Sequence, residues 1–191
     1  METLISLDTQ LFLFLNGLHS PFWDTVMWHI SGKWEWVPLY ALMLAWMVRR
    51  FGVKAIWIVL GAALVVTLAD QSSVKLFKNV FERLRPCHNP ALDEFVHRVN
   101  NKCGGKYGFV SSHAANSFAI AMYTLLVFKN RAYTWFILLW AAIVSYSRIY
   151  LGVHYPGDIL GGALLGIFLG WLVYRPVKWG VLRPMENKNT S

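Results

Sequence analysis

Near its C-terminal end the chain reads Ser147-Arg148, five residues, His154, three residues, Asp158, with long apolar runs on either side. An arginine, an imidazole and a carboxylate at the mouth of a bilayer-spanning helix are costly to keep there, so they mark a functional site by default. Pro156-Gly157 cannot continue a helix, which puts His154 on a turn and lets Asp158 open the next helix, where a carboxylate suits the N-cap. The same carboxylate could accept the Nδ1 proton of His154, fixing the tautomer and leaving Nε2 as a nucleophile. A capped, merely polar turn is the alternative.

Two further clusters supply the other parts of a phosphate-handling centre. Lys78 and Arg85-Pro86 come first. If the helix through Leu68 runs on to about Leu84, the seven-residue spacing puts both cations on nearly one face, two turns or about 10.5 Å apart, with Pro86 ending the helix. A guanidinium fork grips phosphate oxygens in pairs and an ammonium acts as a point charge. A solvated basic face, or a patch for anionic headgroups, is the competing reading. Ser111-Ser112-His113 directly precedes an apolar run. A serine N-cap places His113 in the first helical turn, beside free backbone N–H groups that favour an anion. An imidazole there can protonate a leaving oxygen. The plainer reading is a capping serine and an interfacial histidine.

The elements that must position these residues belong to a membrane protein. Of 191 residues, 56% are hydrophobic, 16% aromatic and only 15% charged, with ten Trp, outside the usual soluble range. Apolar runs at residues 34–48, 55–68, 114–128, 133–149 and 159–174 give five expected spans, extendable toward the roughly 20 residues a bilayer needs. Residues 4–18 carry Asp8, Gln10 and Asn16 and precede Ser20-Pro21. They read as an interfacial helix, with a sixth span as the competing possibility. Trp23, Trp28, Trp34 and Trp36 suit a headgroup-level belt. Gly162, Gly166 and Gly170 form a small-residue stripe for close helix packing. The expected fold class is all-α, a polytopic membrane helical bundle of five to six transmembrane helices. Residues 1–184 are expected to form a single domain, with 1–30 as its interfacial or short membrane segment and 185–191 as a disordered tail. No removable signal peptide is evident.

Alternating the spans divides the 18 Lys and Arg evenly between the two sides. Discounting Lys75, Lys78, Arg85 and Arg148, which have a proposed chemical task, leaves the excess on the side of the C-terminal tail. That places the tail in the cytoplasm and the site outside it. Cys87 and Cys103 share one loop on the outer side and could pair in an oxidising compartment. The basic balance lies in short loops beside membrane helices, so no nucleic-acid partner is expected.

Lys78, six residues, Arg85-Pro86; Ser111-Ser112-His113; Ser147-Arg148, five residues, His154, three residues, Asp158: together these resemble the three-part signature of the type 2 phosphatidic acid phosphatase (PAP2) family. The family consists of membrane lipid phosphatases sharing a helical core with vanadium haloperoxidases and bacterial acid phosphatases. The middle part departs from the family pattern, with Val110 and Ser112 in place of proline and glycine, and a serine there is expected to narrow or re-aim the pocket. The resemblance implies a two-step displacement needing no metal and no cofactor. His154 would attack phosphorus, Asp158 would steady the imidazolium, and His113 would protonate the departing oxygen and then activate water. Lys78, Arg85, Ser111, Ser112 and Arg148 would bind the phosphate. It also implies a membrane lipid phosphate as substrate, with lipid A and undecaprenyl diphosphate as the leading choices, in a bacterial inner membrane with the site facing the periplasm. A phosphotransferase that passes the group to a lipid acceptor, and a non-enzymatic headgroup-binding protein, remain alternatives.

Overall fold

The computed structural model describes residues 2–183, so the expected tail at 185–191 lies outside the described residues. Its longer elements are α1 (Glu2–Gly17), α2 (Pro21–Ile30), α3 (Val37–Phe51), α4 (Ala55–Ser72), the single turn α5 (Asn79–Phe81), α6 (Ser112–Phe128), α7 (Arg131–Tyr150) and α8 (Pro156–Val177). The five expected spans correspond to α3, α4, α6, α7 and α8, an all-α membrane bundle. Among the described residues three stretches are long and apolar enough to cross a bilayer, Trp34–Phe81, Arg131–Tyr150 and Pro156–Leu182. The first folds back on itself at Gly52, whose φ of +56° turns the chain between α3 and α4. Tyr40 and Met43 of α3 therefore line the same cavity as Val66 and Thr67 of α4.

α6 is the core of the bundle. Ala115, Ala119, Ala121, Tyr123 and Phe128 are buried along its length, which is why a helix of 17 residues suffices in the middle of the packing. α8 lies directly against it. A Cβ added at Gly162 would come within 2.5 Å of the Ser111 carbonyl, and one at Gly170 within 2.7 Å of the Ala119 carbonyl. The glycine stripe is thus the α6–α8 contact, with backbone against backbone.

α1 is two-faced. Leu4, Leu11 and Phe14 are exposed, while Phe12 and Asn16 are buried. Asn16 Nδ2 donates to the carbonyls of His97, Ile149 and Tyr150, and its Oδ1 accepts from His97 N at 2.8 Å. One short polar side chain so ties the N-terminal helix to the end of α7 and to the long loop. Asp24 of α2 adds Tyr150 Oη at 2.7 Å and His97 Nε2 at 2.8 Å. The tryptophans of the expected belt differ in their settings. Trp34 is 85% exposed, but Trp36 donates its indole N–H to the Ile30 carbonyl and sets its ring edge-on to Trp140.

Cys87 and Cys103 are joined, closing a loop of sequence separation 16. Their Cα atoms lie 5.9 Å apart, within the usual range for a bridge. A loop of this size is worth about 3 kcal/mol in the chain-entropy picture. Adding a membrane-compatible reductant should therefore lower the melting temperature by several degrees, and identical melting with and without it would refute that contribution.

Candidate active site

The expected helix from Leu68 to Leu84 does not form as drawn. After α4 the chain widens into a π-helical turn, Ser73–Lys78, and α5 ends at Phe81 because Glu82 takes a left-handed conformation, φ +46°. Residues 83–85 are then extended, pairing with the segment around Tyr107: Arg85 N donates to the Lys106 carbonyl at 3.1 Å and Gly108 N to the Arg83 carbonyl at 2.8 Å. Lys78 and Arg85 therefore reach the site from different local structures instead of from one helix face. In an extended strand alternate residues share a face, so Arg83 and Arg85 both turn inward.

Lys78 Nζ donates to Ser112 Oγ at 2.6 Å, and Ser112 Oγ also pairs with Ser73 Oγ at 2.7 Å. The serine that stands where the family pattern has glycine thus holds the ammonium, and the widened turn is what brings Ser73 to it. Arg85 is 9% exposed and anchored to backbone carbonyls, Nε to Tyr107 at 3.2 Å and Nη1 to Cys103 at 3.3 Å. The disulfide fixes the second of these carbonyls in place. Burial lowers the Arg85 pKa, and Asp158 pushes it back up.

Ser111 caps α6, accepting from Ala114 N, and its own N–H donates to the Asp158 carbonyl at 3.0 Å. His113 follows in the first turn. Arg148, Lys33, Lys78 and His154 are near enough to act on it electrostatically.

Arg148 donates through Nη1 to Ser31 Oγ, while its buried Nε finds no acceptor among the described residues. The Arg148 carbonyl accepts from both Val153 N and His154 N, folding the turn back on the end of α7. Gly152, at φ +75°, permits that turn, since a Cβ there would meet the His97 carbonyl at 2.6 Å.

His154 is 1% exposed, and its Nδ1 lies 3.2 Å from Asp158 Oδ2. Asp158 stands at the third position of α8, not at the N-cap. Tyr155 is the N-cap residue, and its N–H donates to Asp158 Oδ2 at 3.1 Å. Pro156 at the first helical position sets this register. A Cβ at Gly108 would come 2.9 Å from Asp158 Oδ2 and 3.5 Å from His154 Nδ1, so a glycine is needed for this close approach. Burial, reinforced by Arg85, Arg148 and Lys78, pushes the His154 imidazole well below its ordinary 6.5, against the opposing pull of the Gly108 backbone. That direction favours the uncharged ring.

Sequence reasoning missed two partners of this pair. Arg83 Nη1 donates to Asp158 Oδ1 at 3.0 Å and Nη2 to Asp8 Oδ2 at 2.7 Å, with its guanidinium 4.0 Å from the Tyr155 ring centre. Asp8 Oδ1 in turn accepts from Gly157 N at 2.7 Å. The available signal was the Arg-x-Arg alternation once residues 83–85 are read as extended.

Three segments far apart in sequence thus converge at one end of a membrane bundle, bringing cations, two imidazoles and a carboxylate within electrostatic reach of one another, the makings of an integral-membrane phosphatase. The chain belongs to the PAP2 superfamily, which it matches over residues 51–181. It is 47% identical over 177 residues to a lipid A 4'-phosphatase of Bacteroides thetaiotaomicron, covering 91% of this chain and 78% of that protein. It is 27% identical to an undecaprenyl-diphosphatase of Sulfolobus acidocaldarius, over 97% of this chain and 85% of that one. Among solved structures it resembles the PAP2-type phosphatidylglycerolphosphate phosphatase of Bacillus subtilis, with a TM-score of 0.67 at 25% identity, covering 91% of this chain and 85% of that one. The chain is a multi-pass membrane phosphatase, a hydrolase of lipid phosphates.

Proposed function

We propose that the protein removes a phosphate from an acylated glycolipid of the lipid A type through a phosphohistidine intermediate. The observation that carries the chemistry is the buried His154–Asp158 pair ringed by Lys78, Arg85 and Arg148. The likeness to the Bacteroides protein favours lipid A over undecaprenyl diphosphate, which the more distant relative acts on.

Asp158 holds Nδ1, so Nε2 is the atom that attacks phosphorus. As the N–P bond forms, the ester P–O bond breaks on the opposite side and His113 gives a proton to the departing lipid oxygen. The three cations, Ser111 and backbone N–H groups at the start of α6 stabilise the charge on the equatorial oxygens. His113 then takes a proton from water, whose oxygen attacks phosphorus, and inorganic phosphate leaves as His154 is regenerated. The link between Cys87 and Cys103 supports a site on the oxidising, periplasmic side of a bacterial inner membrane.

Phosphate release by the purified protein over a panel of lipid A, prenyl diphosphate and glycerophospholipid phosphates tests this reading. Fastest turnover of lipid A is expected; a preference for the prenyl diphosphate would overturn the substrate assignment. The neutral state of His154 has its own signature. In the unfolded chain this residue takes up a proton near pH 6.5 and in the folded one only well below it, so stability is unaffected above about pH 6.5 and falls as the pH drops beneath it. Melting temperatures measured from pH 7.5 to 5.5 should fall less steeply in His154→Gln than in the wild type. Equal slopes would contradict the neutral, buried imidazole.

A further inference from the structure

Between α3, α4, α6 and α7 lies a cavity of about 840 Å³, within the roughly 300–1,000 Å³ typical of ligand sites. Its polar end is made by Lys33, Asp70, His113 and Asn116, and its body is apolar, with Met43, Met47, Val66 and Ile120 among its walls. His113 lines it and His154 does not. In the mechanism above His113 serves the departing oxygen, so this cavity opens on the leaving-group side of the phosphorus.

Two polar atoms in the lining have no partner among the described residues. Trp140 is 5% exposed and its Nε1 finds no acceptor; Asn116 turns its Nδ2 toward Asp70 Oδ1 and leaves its buried Oδ1 without a donor. Buried polar atoms are nearly always paired, and this pair asks for one acceptor and one donor from whatever fills the space. A prenyl chain offers neither. An acyl chain attached through an amide, or bearing a hydroxyl, offers both.

We infer that this cavity holds an acyl chain of the leaving-group lipid and that Trp140 and Asn116 pair with the polar atoms of its amide or hydroxyl group. The inference rests on the phosphatase reading for its direction and names the substrate feature that the protein selects.

Kinetics and binding on the full chain in detergent micelles test it with three phosphates: an N-acylated amino-sugar phosphate, a prenyl diphosphate and a water-soluble aryl phosphate. Trp140→Phe keeps an aromatic ring and removes the indole donor along with the second ring, so the prenyl substrate reports any loss from packing alone. It should raise KM for the acylated substrate about fivefold, the worth of one hydrogen bond, and leave KM for the prenyl substrate unchanged. Ala62→Phe, which fills the cavity, should raise KM for the acylated lipid by at least about tenfold, far more than for the aryl phosphate. Leu64→Phe, on the exposed face of α4, serves as the folded control with unaltered kinetics. Equilibrium binding of the dephosphorylated N-acyl sugar separates this inference from the phosphatase reading. Wild-type binding that Ala62→Phe abolishes, without phosphate release from any substrate, would uphold the cavity and sink the chemistry. Phosphate release with KM indifferent to both Trp140→Phe and Ala62→Phe, or equal losses on acylated and prenyl substrates in Trp140→Phe, would sink the cavity assignment alone.

Discussion

Replacing His154 with alanine should lower phosphate release by at least about 10⁴-fold, because removing a covalent nucleophile leaves only binding and electrostatic stabilisation to act. The fold should survive. Asp158 would lose the imidazole but keep Arg83 Nη1 at 3.0 Å and the Tyr155 N–H at 3.1 Å, so no unpaired charge is stranded in the bundle. Melting temperature and helical circular dichroism supply the control. Brief incubation with ³²P-labelled substrate should trap acid-labile, alkali-stable label on the wild type and none on the variant. Undiminished turnover, or label retained in His154→Ala, would remove this residue from the nucleophile's role.

His113→Ala should give the second large effect, and its size should depend on the leaving group. An alkyl oxygen is a poor leaving group and needs a proton, so loss of the general acid should cost about 10²- to 10⁴-fold. An aryl phosphate whose phenol ionises near neutrality leaves without that help and should lose far less in the first step. The position of His113 makes the contrast sharp, since it stands in the first turn of α6 and lines the cavity assigned to the lipid. Measuring single-turnover rates on both substrates isolates the bond-breaking step from the hydrolysis that follows. Equal losses on the two would reassign His113 to phosphate binding.

How far the sequence carried the site depended on the kind of signal each residue gave. Lys78, Arg85, Ser111, His113, Arg148, His154 and Asp158 stood in fixed spacings between apolar runs, and the five long helices were legible from those runs. What spacing could not give was the local backbone. The left-handed Glu82 and the extended Arg83–Arg85 segment replace a helix end that periodicity alone would prolong. Asp158 sits at the third position of α8, set by Pro156, and not at its N-cap. Asp8 and Asn16 were invisible as partners because their contacts span between 75 and 149 residues of sequence and a lone polar residue on an apolar helix carries no pattern, whereas Arg83 was legible only once its segment is read as extended. Asn116 and Trp140 were hidden differently, since only coordinates reveal which polar atoms lack a mate.

Asp8 gives α1 a hand in the chemistry. Its carboxylate clamps the amide of Gly157 and the guanidinium that holds Asp158, so the turn bearing His154 is braced only while α8 stays docked against α1. A substitution that pulls α1 aside would silence the enzyme from a distance, without touching any group that meets the phosphate.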